Sequence, residues 1–276
     1  MLSILNNISA LSSRNQLSLT QASLSKTLLA LSSGSRINSG ADDAAGLAIA
    51  DGLNANITAL TQSSRNATDG VGQLQVADGA LSQVTALLNR AITLATESST
   101  GTVSDSQRTA LNAEFTAIKT EIDTIGGKTT YNGQAIFGAT SNLTVYMSDS
   151  SAAGTSSVSV TIGQVDSGHL GAVSLTANDL STAANAQTAI GNINSAIAAI
   201  ANLRGTLGAS SNQLQAASNV MQNQIQNLTA AEDGIRAADI GQETANLSKF
   251  TVLQQTGIAA LQQSNQSQQA VLRLLQ

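Results

Sequence analysis

Residues 53–95 read LNANITALTQSSRNATDGVGQLQVADGALSQVTALLNRAITLA. Stepping through this stretch alternately by four and three residues lands on Leu53, Ile57, Leu60, Ser64, Ala67, Val71, Leu74, Asp78, Leu81, Thr85, Leu88, Ile92 and Ala95. Ten of these thirteen places are apolar. Alternating 3–4 spacing marks helices packed side by side. The polar exceptions are Ser64, Asp78 and Thr85. A second, shorter grid is complete: Leu111, Phe115, Ile118, Ile122 and Ile125. A third runs through Ile190, Ile193, Ile197, Ile200, Leu207, Leu214, Met221, Ile225, Leu228 and Ile235, broken by Arg204, Ser211, Ser218, Glu232 and Asp239. At the helical rise the first grid is a rod of about 60 Å and the third of about 70 Å. The fold class is therefore mainly α, an elongated helical bundle or coiled coil.

The punctuation is readable as well. Ser99–Thr102 ends the first rod, and Ser104-Asp105 caps the next helix. Gly126-Gly127 is expected to stop that helix. Residues 128–180 change character. Leu143, Val145 and Met147 alternate with polar residues, as do Val158, Val160 and Ile162. This reads as a small β-hairpin insert with a turn or loop at Ser148–Gly154 and a third strand at Val173–Leu175.

Composition narrows the function classes. The chain has 276 residues, of which 42% are hydrophobic, 11% charged and 2% aromatic. It has no Pro, where average usage would give about 14. Long helices that must not kink explain that absence. Without Cys and with His169 as the one histidine, Cys-based metal sites and His-pair metal sites are excluded. No cofactor is implied. A net charge of −5 argues against nucleic acid as a partner. No run of 18 apolar residues suggests membrane insertion, and no cleaved signal peptide is legible. Gly70-Val71-Gly72 lacks the third glycine of a dinucleotide loop, since Gln75 stands there.

The charges are unevenly placed. Residues 1–41 hold Arg14, Lys26 and Arg36, and residues 244–276 hold Lys249 and Arg273, with no acid in either segment. Both ends are rich in Ser, Asn, Gln and Leu. Their apolar stripes are thin: Ile4, Ile8, Leu11, Leu24, Leu28 and Leu31 on one side, Phe250, Ile258, Leu261, Leu272 and Leu275 on the other. Such stripes do not hold a lone helix in water, so both ends are expected to be disordered in the monomer and to fold when neighbours cover them. Asp42 and Asp43, just before Ala44-Ala45-Gly46, read as helix N-terminal capping rather than an acid/base pair.

Several of these stretches carry a resemblance. Residues 32–53, SSGSRINSGADDAAGLAIADGL, and 63–81, SSRNATDGVGQLQVADGAL, resemble the N-terminal signature of bacterial flagellin. Residues 235–249, IRAADIGQETANLSK, with VLQQTG at 252–257 and QAVLRLL at 269–275, resemble its C-terminal segment. The resemblance implies a minimal member with paired termini. Residues 1–41 and 244–276 would form the D0 terminal coiled-coil domain. Residues 42–243 would form the D1 helical rod domain, including the 128–180 insert. The implied function is a structural, non-enzymatic subunit that self-assembles into the extracellular flagellar filament for swimming motility. A flagellar hook–filament junction protein, which shares the terminal arms, is the alternative. Implied partners are many copies of itself, the flagellar export apparatus and a flagellin chaperone, and hook-associated and cap proteins. The stripe residues named above, with the hinge residues Arg36, Asn38, Asp42 and Asp43, would make the subunit contacts. Arg90, Leu94 and Glu114 match the contact that Toll-like receptor 5 makes on recognised members. Read from the residues alone, Arg90 and Glu114 are helix surface and Leu94 is core.

Overall fold

The computed structural model describes residues 7–138, 142–148 and 157–274, with side chains up to residue 270. Ile4, Leu275, the side chain of Leu272 and most of the Ser148–Gly154 loop lie outside the described residues. Five helices and six short strands follow one another: α1 (Ile8–Ser33), α2 (Ala44–Ser99), α3 (Asp105–Lys128), β1 (Thr130–Tyr131), β2 (Gln134–Ala135), β3 (Asn142–Tyr146), β4 (Ser157–Thr161), β5 (Val165–Asp166), β6 (His169–Leu170), α4 (Ala183–Arg236) and α5 (Ile240–Leu274). The chain forms two compact units, one of residues 1–55 with 227–276, the other of residues 56–226. The sequence boundaries at 41/42 and 243/244 fall inside the first unit.

In the 56–226 unit, α2 buries a seam in unbroken 3–4 alternation: Leu60, Ser63, Ala67, Gly70, Leu74, Ala77, Leu81, Val84, Leu88, Ala91, Ala95 and Ser98. Half of the sequence grid coincides with it. The other half is displaced by one residue, because positions 64, 71, 78, 85 and 92 are only half-buried. The buried line one step earlier consists of Ser63, Gly70, Ala77, Val84, Ala91 and Ser98, all small side chains that admit close neighbours. A Cβ on Gly70 would sit 2.7 Å from Val145 Cγ2 and 3.1 Å from Leu214 Cδ1. Ser63 Oγ donates to the Ser148 carbonyl at 3.0 Å, and Ser98 Oγ to that of Leu180 at 2.7 Å. The grid followed the larger apolar side chains Val71 and Ile92 past their small buried neighbours Gly70 and Ala91, and so ran one residue beside the true line. On α4 the shift is the same: Ala189 and Ala196 are buried where Ile190 and Ile197 are half-buried.

α3 starts at a capping box: Ser104 Oγ accepts from Gln107 N at 3.4 Å, and Gln107 Oε1 accepts from Ser104 N at 2.9 Å. Four residues in, buried Arg108 donates to the Thr100 carbonyl at 2.9 Å, placing a cation at the C-terminal end of α2. The expected stop at Gly126-Gly127 does not occur, since α3 continues to Lys128. Gly126 has a different purpose: a Cβ there would collide with the Val165 carbonyl of β5. The helix needs glycine for contact, and its intact hydrogen bonds carry it past the pair.

The insert is built of three antiparallel pairs. β1 and β2 are joined by Asn132-Gly133 at φ 48° and 76°, the left-handed conformations that a tight hairpin needs. β3 and β4 pair from Asn142↔Thr161 to Tyr146↔Ser157, turning Val145, Val158 and Val160 inward, as the alternation required. β5 and β6 pair Val165↔Leu170 and Asp166↔His169. The third strand expected at Val173–Leu175 is reduced to one bridge, Leu170↔Val173, because the chain turns at Gly171, φ 69°.

Candidate assembly surface of the paired ends

α1 and α5 pack against each other and pair the termini. Asn7 caps α1, its Oδ1 accepting from Ala10 N at 2.9 Å. Its Nδ2 donates to Gln268 Oε1 at 2.9 Å and to the Ser264 carbonyl at 3.2 Å, which locks the start of α1 to the far end of α5. The described residues that α1 buries are Thr20, Thr27 and Ala30. Leu17 rests on Gly257, where an added Cβ would lie 3.4 Å from Leu17 Cδ1. The fully buried side chains of α1 are thus small or hydroxyl-bearing, with leucines such as Leu17 packed beside them half-buried. Many large apolar side chains point outward. Ile8 is 69% exposed and Leu19 64%; Leu11, Leu28, Leu29, Val252, Leu253 and Ile258 are exposed too. Leu24, Leu31, Phe250 and Leu261 are half-buried along its edges. The sequence stripes anticipated Ile8, Leu11, Leu28 and Ile258, and missed Leu19, Leu29, Val252 and Leu253. Both ends, expected to be disordered in an isolated chain, are helical here.

The same unit holds the hinge. Gly34 caps α1 in the left-handed conformation, φ 69°. The chain then pairs with the exit of α4: Arg36 N donates to the Arg236 carbonyl at 2.7 Å, Ala238 N to that of Gly34 at 2.9 Å, and Ser35 bridges Ala237. Arg36 Nη2 donates to the Ile235 carbonyl at 2.9 Å. Asn38 Nδ2 donates to the Ser35 carbonyl at 2.7 Å. Asp42 gathers the turn, accepting from Asn38 N, Ser39 N and Ser39 Oγ at 3.0–3.2 Å and pairing with Lys26 Nζ at 2.7 Å. The Lys26 ammonium and these donors lower the Asp42 pKa to about 2. Asp43 Oδ1 accepts from Gly46 N at 2.8 Å and starts α2. The capping reading thus describes Asp43 alone; Asp42 caps no helix and instead ties the turn before α2. Arg236 adds ion pairs to Glu232 at 3.5 Å and Asp51 at 3.8 Å. A cavity of about 360 Å³ opens here, lined by Lys26, Arg36, Asp42, Asp43, Glu243 and Phe250 among others. Neither Lys26 nor Arg236 was read from the sequence as a hinge residue; Asp42 lies sixteen residues from Lys26 and Asp51 far along the chain from Arg236.

In the 56–226 unit, Arg90 and Glu114 form a two-pronged ion pair between α2 and α3, at 2.7 Å and 3.1 Å. Both are exposed; the guanidinium holds the Glu114 pKa below its ordinary value. Leu94 is in the core and takes no part in that surface. His169 is exposed beside Asp166, 2.9 Å from its carboxylate. Among the described residues, no three His, Cys, Asp or Glu side chains cluster to hold a metal. No helix of the described residues is long and apolar enough to cross a membrane.

Family comparisons agree with the paired helical ends. The family described as the bacterial flagellin N-terminal helical region matches residues 4–142, and the one described as the bacterial flagellin C-terminal helical region matches residues 190–275. The chain belongs to the bacterial flagellin family. A flagellin of Halalkalibacterium halodurans is 36% identical over 98% of both chains. The flagellar filament 31.3 kDa core protein of Treponema maltophilum is 32% identical over 98% of this chain and 99% of its own. The crystal structure of Bacillus cereus flagellin superposes with a TM-score of 0.50 at 29% identity, covering 61% of this chain and 94% of that one. Only residues 143–189 separate the two matched flagellin regions, consistent with a minimal member.

Proposed function

We propose that this flagellin is the structural subunit of an extracellular filament that serves swimming motility, built from many copies of the same chain. One observation carries the reading: the α1–α5 pair turns many of its large apolar side chains outward, Ile8, Leu11, Leu19, Leu28, Leu29, Val252, Leu253 and Ile258, while the residues α1 fully buries are two threonines and an alanine. Burying each such leucine or isoleucine against a neighbour contributes about 1.5–3 kcal/mol. Contacts between copies that do not close on themselves produce an open helical polymer. In this reading residues 1–41 and 244–276 form the D0 layer, 42–243 form D1, and the outward residues make the subunit contacts. Arg36, Asn38, Asp42 and Asp43 act one step back, by fixing the hinge that carries both arms. The same apolar surface calls for a chaperone before export and for hook-associated and cap proteins at the filament ends. The hook–filament junction alternative predicts a subunit that does not extend a filament. Purified protein added to filament fragments and viewed by electron microscopy decides between them: extension supports the filament subunit, and persistent monomers overturn it.

The exposed Arg90–Glu114 fork favours one further partner, Toll-like receptor 5, with Leu94 serving only as core beneath it. Purified monomer and an Arg90→Ala/Glu114→Ala variant in a receptor reporter assay test this; equal responses from the two remove the assignment.

A further inference from the structure

Asp78 and Arg204 interrupt two different apolar grids in the sequence, and the structure brings them together. Arg204 Nε donates to Asp78 Oδ1 at 2.6 Å and Nη2 to Oδ2 at 3.2 Å, and the guanidinium lowers the Asp78 pKa. Two heptads away along α2, Ser64, another interruption, lies 3.1 Å from Ser218, which interrupts the grid of α4. One antiparallel register accounts for both contacts. Extended by whole heptads, it sets Val71 against Ser211 and Thr85 against Ile197.

The large apolar residues of the seam beside this line define that register only weakly, the close fit of Leu214 on Gly70 being the exception. Leu60, Ala67, Leu74, Leu81 and Leu88 recur every seven residues on α2, as do Ile193, Ile200, Leu207, Leu214 and Met221 on α4. Sliding one helix by a heptad still places apolar on apolar. The charged line is not so tolerant. A slide one way sets Asp78 against Ser211 and Arg204 against Thr85; the other way sets Asp78 against Ile197 and Arg204 against Val71. Either slide separates the charges. Ion pairs flanking a heptad seam are a known means of setting how two helices align. We infer that the Asp78–Arg204 pair is the register lock of the α2–α4 coiled coil, selecting one axial alignment from a heptad-degenerate set.

The chain has no Cys, so introduced cysteines report alignment without background. In dilute full-length protein, Ser64→Cys with Ser218→Cys reports the native register. Ser64→Cys with Ser211→Cys, and Val71→Cys with Ser218→Cys, report the two one-heptad slides. Each pair is made in three backgrounds: native, Asp78→Leu/Arg204→Leu, and the exchanged pair Asp78→Arg/Arg204→Asp. Disulfide yield after mild oxidation is read by mass spectrometry, with helicity followed by circular dichroism. In the native background the first pair should dominate, each slide pair reaching at most about a fifth of its yield. In the double-leucine background a slide reporter should rise about fivefold, the ratio withheld by an ion pair of about 1 kcal/mol. The exchanged pair should restore selectivity, which a merely structural side chain would not do. Unchanged selectivity in the double-leucine protein, or indiscriminate cross-linking in the exchanged one, overturns the assignment.

Discussion

Asp42 shows how one side chain organises a turn. Its carboxylate holds Lys26 and three donors of residues 38–39, and its pKa falls from 3.8 to about 2. A folded-state pKa below the unfolded one stabilises the fold above the unfolded value, and that contribution is lost as pH falls through the folded value. The loss at this site therefore belongs between about pH 4 and pH 2. Carboxyl NMR should give Asp42 a midpoint near 2, and Lys26→Met should move it back toward 3.8; a midpoint unmoved by the substitution would refute the assigned cause. The glycine pair at 126–127 separates two reasons for glycine. Gly126→Ala should cost about 1–3 kcal/mol in urea unfolding, because its methyl meets the Val165 carbonyl. Gly127→Ala has open space and should be neutral or stabilising by up to about 1 kcal/mol. Sequence read both as a stop signal. A contact with a strand some forty residues away leaves no local trace, so that purpose was not legible.

At the scale of the element, the long helices were legible because their apolar periodicity runs over many turns. The face they bury was legible only in half. Leu60, Leu74, Leu81 and Leu88 announce themselves, whereas Ser63, Gly70 and Ser98 are core residues without apolar side chains. Ser63 and Ser98 are buried because their hydroxyls find carbonyls on the insert, which satisfies them without water. The displacement can be tested directly. Ala77 lies on the buried line and Thr85 on the half-buried one. Ala77→Leu should overpack the seam and cost about 1–3 kcal/mol, while Thr85→Leu should change stability by less than about 1 kcal/mol. The sequence grid implies the reverse, with Thr85 a gap awaiting leucine. Thermal unfolding of the two variants distinguishes the alternatives. The N-cap of α3, by contrast, was legible at Ser104, next to the helix it starts, though its partner Gln107 was not picked out; Ser104→Ala should cost about 1 kcal/mol.

At the scale of the whole molecule, stability is distributed unequally. The 56–226 unit has continuous seams of Leu, Ile, Val and Ala, whereas the α1–α5 pair fully buries two threonines and an alanine on α1 and leaves many of its larger apolar side chains in solvent. Pairing of the ends was legible only through the resemblance to flagellin, since their composition and thin stripes pointed no further than to burial against other chains. Their helical form in a single chain was not, because a stripe count takes no account of Asn7, Ser264 and Gln268 bonding across the pair. The free energy of opening follows buried apolar contact and protected hydrogen bonds, so the pair should open at far lower cost than α2. Hydrogen exchange on dilute chain should find amides of residues 10–30 and 245–265 exchanging at least about a hundredfold faster than those of 70–95. That ratio corresponds to a gap of about 2.7 kcal/mol in opening free energy. In assembled polymer the gap should close, since neighbours then cover the outward leucines. Removing residues 1–35 or 245–276 should abolish polymerisation while preserving most of the helical signal of residues 56–226. Uniform protection in the dilute chain, or normal polymers from either truncation, would mean that the ends are complete without neighbours.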